Sequence, residues 1–165
     1  MSSKTIVFSS LPLSAEELKA MEGASLTDPA YTAAFTAAAL CAYPEHPEAA
    51  IEMLDYLKGP ESVSAYEKQF LKDRFRGADY IARSYFEGAS VQNGYRPSVP
   101  YRITVIEQPN SRSEENWMTL YLRSAGADSP RSIRLRRKPS TGQWFLNEQM
   151  LLAGIRVPAA EDPWA

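Results

Sequence analysis

The chain has 165 residues, a length typical of one globular domain. Hydrophobic residues make up 44% of it and charged residues 23%, which excludes an intrinsically disordered chain. The formal net charge of −2 excludes a general electrostatic attraction of the whole molecule to nucleic acid or to an anionic membrane.

The first half of the chain predicts helices. Residues 5–11 fit either a short strand or an extended lead-in, and about four helices follow between residues 14 and 77. Capping-box patterns at 14–17 and 64–67 open the first and fourth helices. Asp28, followed by proline, is a good N-cap for the second helix, which is apolar on all sides. Such a helix is typical of the centre of a core.

The second half predicts a sheet. Residues 78–100 form a long, aromatic-rich connection that we expect to pack with its own side chains. From 101 to about 150, apolar and polar residues alternate in four segments joined by turns, which predicts an antiparallel meander. The tail, 151–165, is expected to be extended and pinned by Trp164. The sequence therefore predicts one α+β domain over 1–165, with about four N-terminal helices packed on one face of a four-stranded antiparallel meander sheet.

Charge is distributed unevenly along the chain and points to a candidate binding surface. Residues 1–60 carry a net charge of −5 (3 basic, 8 acidic), whereas residues 101–138 carry +4 (8 basic, 4 acidic). The candidate residues on the basic strand and its neighbour are Arg134, Arg136, Lys138 and Tyr121. Basic groups beside an aromatic ring suit a phosphate backbone or an acidic protein. The favoured interpretation of the pattern alone is a solvated face whose charge prevents edge pairing.

Aromatic residues in the long connection are a second candidate site. Tyr85 and Phe86, together with Trp144 of the predicted sheet, could line a pocket at the junction of helices and sheet, with a carboxylate or an arginine inside. They could equally form a small core of the connection itself, because loop aromatics need burial in either case.

Motifs for catalysis, metals and cofactors are missing. The single histidine, His46, precedes a proline between two predicted helices, where an exposed residue or helix cap is expected. One histidine and one cysteine, Cys41, do not make a zinc site, and one cysteine cannot form an intrachain disulfide. The sequence has no nucleophile elbow, Walker loop or dinucleotide fingerprint. We therefore predict no catalytic residue, no metal and no cofactor.

Targeting signals are also missing. The apolar run before Pro12 is too short for a signal-peptide core, and no stretch approaches the roughly 18 apolar residues of a membrane span. The sequence therefore predicts a cytoplasmic protein without a membrane partner.

Several short segments resemble a family of small bacterial proteins known only as a domain of unknown function. They include Ser-Tyr-Phe-Glu-Gly-Ala at 84–89, Gly-Ala-Asp-Ser-Pro-Arg at 126–131, Gly-Gln-Trp-Phe-Leu at 142–146 and Asp-Pro-Trp-Ala at 162–165. The resemblance implies a bacterial, single-domain, cytoplasmic protein and brings no activity with it. In architecture the predicted elements are also similar to the cone-shaped fold of nuclear-transport-factor-like proteins, which hosts both enzymes and binding modules.

These observations lead to two functional hypotheses. The first is a non-enzymatic interaction module that contacts a protein partner through the basic sheet face or the aromatic connection. The alternative is a small-molecule-binding protein or enzyme with a pocket between helices and sheet. Nucleic-acid binding ranks third, because the first half of the chain is acidic.

Overall fold

A computed structural model describes all residues from Met1 to Ala165. The strands are β1 (Ser2–Phe8), β2 (Tyr101–Glu107), β3 (Trp117–Leu122), β4 (Arg131–Lys138) and β5 (Gln143–Gln149). The α-helices are α1 (Ala15–Lys19), α2 (Pro29–Ala42), α3 (Pro47–Lys58) and α4 (Ala65–Phe75), and short 3₁₀ helices span Ile81–Tyr85 and Ala159–Glu161.

All five strands form one antiparallel sheet in the order β1-β2-β3-β4-β5. The α+β prediction is confirmed, but the prediction of four strands is wrong. The additional strand, β1, pairs with β2 along its whole length, with Thr5 opposite Thr104. Almost a hundred residues separate the two strands in the sequence, so no turn marks their pairing.

Helix α2 lies across one face of the sheet, which we call the inner face. Eleven of its fourteen residues are buried, so the prediction of a central core helix is confirmed. Small alanine side chains let the helix approach the strands closely, and the rings of Phe8 and Phe35 pack with their centroids 5.5 Å apart. The buried inner-face residues of the strands include Ile6, Ile103, Val105, Met118, Leu120, Leu122, Ile133, Leu135 and Leu146.

The edge of β5 is closed by the helical layer. The backbone N–H of Trp144 donates to the Leu26 carbonyl at 2.7 Å, and Thr32 Oγ1 donates to the Trp144 carbonyl at 2.8 Å. Lys58 Nζ at the end of α3 donates to the Asn147 carbonyl at 3.1 Å. These bonds use backbone groups that an edge strand would otherwise expose.

Residues 78–100 pack on themselves and on the domain. Tyr80 and Tyr95 stack with their ring centroids 5.5 Å apart, and both are buried. Arg83 donates to the carbonyls of Gly94 and Tyr95 at 3.1 Å each. These contacts hold the connection against the body of the protein.

The tail is not held by its tryptophan. Trp164 is 94% exposed, so the prediction that it pins the tail is wrong. The tail is attached upstream instead, through backbone bonds from Arg156 to the Gly126 carbonyl and from Ala159 to the Val91 carbonyl, both 2.9 Å long. Because these bonds already fix the tail, burial of the indole is not needed for its attachment.

Candidate functional site

The face of the sheet away from the helices, which we call the outer face, carries most of the candidate residues. Residues alternate between the two faces along each strand, and the buried inner-face positions therefore define the outer ones. Its basic residues are Arg102 on β2, Arg123 just after β3, and Arg134, Arg136 and Lys138 on β4. The charge asymmetry seen in the sequence thus becomes an asymmetry between the two sides of the molecule.

Trp117 organises one end of this face. The guanidinium carbons of Arg134 and Arg136 lie 4.4 Å and 5.1 Å from the centre of its ring. Arg134 Nη2 also donates to Glu114 Oε2 at 2.8 Å, which fixes the first arginine. Cation–π attraction of this kind restrains both guanidinium groups beside the indole. We call Trp117, Arg134, Arg136 and Lys138 the Trp117 cluster.

The predicted basic residues therefore do share a surface. Arg134 and Arg136 come together on Trp117, and Lys138 continues along the same strand at the exposed hairpin end. Tyr121 lies on the same face of β3 but opposite Ser132, away from the cluster. The sequence reasoning missed Trp117. The alternation in β3 placed it on the outer face, but nothing local showed that it stands opposite Arg136.

A cleft of about 460 Å³ lies beside the Trp117 cluster. Its lining includes Trp117, Arg136, Arg137, Lys138, Phe145 and Lys58, with Glu61 and Glu115 as the acidic members. Lys58 pairs with Glu67, but Arg136, Arg137 and Lys138 have no ion pair, so the cleft is electropositive. The half-buried ring of Phe145, directly opposite Arg136 on β5, adds an apolar surface.

A second cleft, of about 520 Å³, lies at the other end of the outer face. Strands β2 and β3 pair only from Val105–Leu122 to Glu107–Leu120 and then separate. The segment 84–87 fills the gap, since Glu87 N donates to the Arg102 carbonyl at 2.8 Å and Ala125 N donates to the Ser84 carbonyl at 2.9 Å. We call this cleft, lined by Ser84, Tyr85, Phe86, Arg102, Arg123 and Ser124 among others, the split cleft.

Tyr85 and Phe86 form the inner wall of the split cleft, but Trp144 is not there. Tyr85 is buried and its hydroxyl donates to the Leu151 carbonyl. Burial raises the pKa of Tyr85 above its usual range. Phe86 packs edge-on against Tyr101. Trp144 lies on the inner face and is buried, so the structure does not bring these three aromatic residues together.

A groove does lie between helices and sheet, where α4 faces the end of β5. It has a volume of about 420 Å³ and is lined by apolar side chains from α4 and β5, including Phe70, Leu71 and Leu146. Its mouth carries the exposed side chains of Tyr66 and Met150.

The residues considered for catalysis are isolated. His46 is the exposed N-cap residue of α3, and its side chain makes no capping hydrogen bond. Cys41 is partly buried, and loss of solvation raises the pKa of its thiol to about 12. No three histidine, cysteine, aspartate or glutamate side chains converge as metal ligands. None of the helices has the length and apolar character needed to cross a bilayer.

Comparison with known proteins gives a family for the chain. Residues 10–159 match the family described as "Domain of unknown function (DUF6935)", so only β1 and the ends of the chain lie outside the match. No curated protein and no solved structure matches the chain. Since the match covers nearly the whole fold, from the residues after β1 into the tail, the chain belongs to this family of unknown function.

Proposed function

We propose that the protein is a non-enzymatic interaction module that binds an acidic segment of a protein partner through the Trp117 cluster. The observation that carries this proposal is the stacking of two arginines on one exposed-face tryptophan, with Lys138 beside them. Tryptophan and arginine are the residues most often found as energetic centres of protein interfaces.

The cluster has donors left for a partner. Arg134 is already held by Glu114, but the guanidinium group of Arg136 contacts the indole and makes no hydrogen bond or ion pair within the chain. A planar guanidinium group kept in place by stacking can bind a carboxylate through two parallel hydrogen bonds at little entropic cost. Lys138 adds a second positive charge on the same strand, which favours an acidic rather than a basic segment.

A protein partner is favoured over nucleic acid by the charge of the remaining surface. Strand β1 and helices α1 to α3 belong to residues 1–60, whose net charge of −5 would repel a long phosphate backbone that extends beyond the outer face. A short acidic segment avoids this repulsion because it needs to contact only the basic end of the sheet.

The alternative, a small-molecule site between helices and sheet, is supported by the apolar α4–β5 groove. A cone-shaped fold of the nuclear-transport-factor type would place a ligand in this general position. Of the polar groups in its lining, Lys58 and Glu67 already pair with each other, and the groove is therefore the second candidate.

The test is affinity capture with the double charge reversal Arg136→Glu/Lys138→Glu. Immobilised protein is incubated with nuclease-treated lysate of its native host, and retained proteins are quantified by mass spectrometry. Candidate acidic segments are then titrated as synthetic peptides by fluorescence anisotropy. We expect the reversal to weaken peptide binding at least about tenfold, since it replaces two attractive contacts with repulsive ones.

The matched control is Lys68→Glu/Lys72→Glu on the exposed side of α4, which changes the net charge by the same amount. This variant should retain partners like the wild type. Equal retention by the outer-face variant would contradict the proposal, as would capture of proteins only from a parallel lysate that has not been treated with nuclease.

A further inference from the structure

The split cleft has features of an anion-binding site that the Trp117 cluster does not share. Its lining contains two arginines, Arg102 and Arg123, and only one acidic residue, Glu87. It lies beyond the last residue of β3, whereas the Trp117 cluster begins at the first residue of that strand. The two surfaces are therefore at opposite ends of the outer face.

The guanidinium groups of both cleft arginines have no partner within the chain. Arg102 and Arg123 are exposed, and neither takes part in an ion pair, a side-chain hydrogen bond or a stacking contact. Other arginines of the fold make hydrogen bonds within the chain. Arg131, for example, donates to the carbonyls of Ala153 and Gly154, and Arg134 to Glu114.

The wall behind the arginines is rigid. Ser84 Oγ donates to the Ile81 carbonyl at 2.7 Å, and Ser124 Oγ lies 2.6 Å from Ser84 Oγ, with both serines buried. Gly88 has φ +91°, and a Cβ there would stand 2.1 Å from Ser98 Oγ, so this turn requires glycine. A fixed wall lowers the entropic cost of binding a ligand between the arginines.

Register places the two arginines on the same side of the opening. Val105 and Leu122 form the last pair of the β2–β3 ladder, and both point inward. The next residue on each strand beyond this pair, Thr104 on β2 and Arg123 after β3, therefore points outward. Arg102, two residues before Thr104 on β2, also points outward. All three residues line the cleft. Two long, flexible cations thus flank one opening from neighbouring strands.

We infer that the split cleft binds a small molecule carrying a phosphate or carboxylate group, held between Arg102 and Arg123. Each guanidinium group supplies paired N–H donors to the anion, which is the recognition geometry shared by both chemical groups. Thr104 Oγ1 lies at the edge of the site, 2.9 Å from Thr5 Oγ1, and can donate to the anion while it accepts from Thr5. The inference is independent of the interaction proposed for the Trp117 cluster.

The experiment uses isothermal titration calorimetry of the full chain with inorganic phosphate, phenyl phosphate and succinate at low chloride concentration. We expect saturable binding at one site per chain for at least one probe. Arg102→Gln and Arg123→Gln should each weaken it by about tenfold or more. Amide shifts in ¹H–¹⁵N spectra should map to residues 84–88 and 123–125. A preference for either phosphate probe or for succinate identifies the anionic group.

Two controls keep the result specific. Arg96→Gln removes another exposed arginine, one outside the cleft whose side chain makes no hydrogen bond or ion pair, and should leave binding unchanged. Arg136→Glu/Lys138→Glu should also leave it unchanged, which separates this site from the Trp117 cluster. Absence of saturable binding for all three probes, or equal affinity in an Arg102→Gln/Arg123→Gln double variant that melts like the wild type, would overturn the inference.

Discussion

Tyr85 stabilises the fold through its hydroxyl group as well as through its buried ring. Its hydroxyl donates to the Leu151 carbonyl, in the turn that follows β5. The bond therefore joins the connection 78–100 to the end of the sheet. Since the donor is used internally and the residue is buried, its hydroxyl is not available to a ligand in the split cleft.

Replacing Tyr85 by phenylalanine should lower the free energy of unfolding by about 1–3 kcal/mol, because a buried carbonyl loses its donor. Urea denaturation followed by circular dichroism measures this loss. Tyr66→Phe, at a side chain that is 79% exposed, should change stability by less than about 0.5 kcal/mol. A Tyr85→Phe variant as stable as the wild type would show that the hydroxyl bond contributes nothing.

At the scale of single elements, α4 is attached by a polar contact as well as by apolar packing. Lys58 Nζ, buried at the end of α3, lies 3.1 Å from Glu67 Oε2 in the first turn of α4. Burial disfavours the charged form of Glu67, but hydrogen bonds from the Ser64 backbone and from Lys58 outweigh it and lower the pKa of the carboxyl group.

The lowered pKa of Glu67 fixes the direction in which the free energy of unfolding changes with pH. A group whose pKa is lower in the folded state contributes stability above its unfolded value, here near 4.5, and loses that contribution as pH falls through the folded value. Glu67→Gln should lower the unfolding free energy at pH 7 by about 1–2 kcal/mol, less than for a fully buried pair because Glu67 is 42% exposed. It should also flatten the stability profile below about pH 4.5.

Urea unfolding at a series of pH values between 3 and 7 checks this pair of expectations. Glu61→Gln, at an exposed carboxylate without an ion pair, serves as the control and should follow the wild-type profile. Superimposable profiles for wild type and Glu67→Gln would mean that the contact between α3 and α4 has no energetic role.

Elements specified by neighbouring residues could be predicted from the sequence. The capping box of α4 depends on Ser64 and Glu67, three positions apart, and the structure contains both of its hydrogen bonds. The N-cap of α2 likewise depends on Asp28 alone, which accepts from Ala30 N. The alternation in β4 similarly identified Arg134 and Arg136 as residues of one face.

Features that depend on pairing between distant segments could not be predicted. Trp117 contacts both arginines only because the β3–β4 register sets it opposite Arg136, and a single sequence does not specify that register. The split cleft exists because residues 84–87 enter the gap between β2 and β3, more than a dozen residues ahead of β2 in the chain. Such insertion leaves no periodic signal, which is why the two cleft arginines were not recognised as a pair.

For the molecule as a whole, the fold separates charge. Helices α1 to α3 on the inner face belong to the acidic residues 1–60, while the outer face of the sheet is basic. The hydrophobic core lies between these two surfaces and is contributed by every strand and by all four helices. A partner approaching the outer face therefore meets a positive surface without disturbing the core.

The strand that completes this architecture is β1, although the family match begins after it. Ile6 and Phe8 are buried on its inner face, and Phe8 packs against Phe35 of α2. The pairing of β1 with β2 closes a loop of almost a hundred residues, so the entropic cost of closure is recovered only when the rest of the domain is folded. We infer that β1 is part of one cooperative unit rather than a dispensable addition.

Phe8→Ala should therefore lower the unfolding free energy by about 3–5 kcal/mol, through lost burial and the cavity left beside Phe35. Tryptophan fluorescence and far-UV circular dichroism should report the same urea midpoint, because Trp144 lies in the same core. Val7→Ala, at a neighbouring side chain on the outer face, should cost less than about 0.5 kcal/mol. If Phe8→Ala changed the stability as little as Val7→Ala, or if the two probes gave separate transitions, β1 would be an independent appendage and the four remaining strands would form the essential sheet.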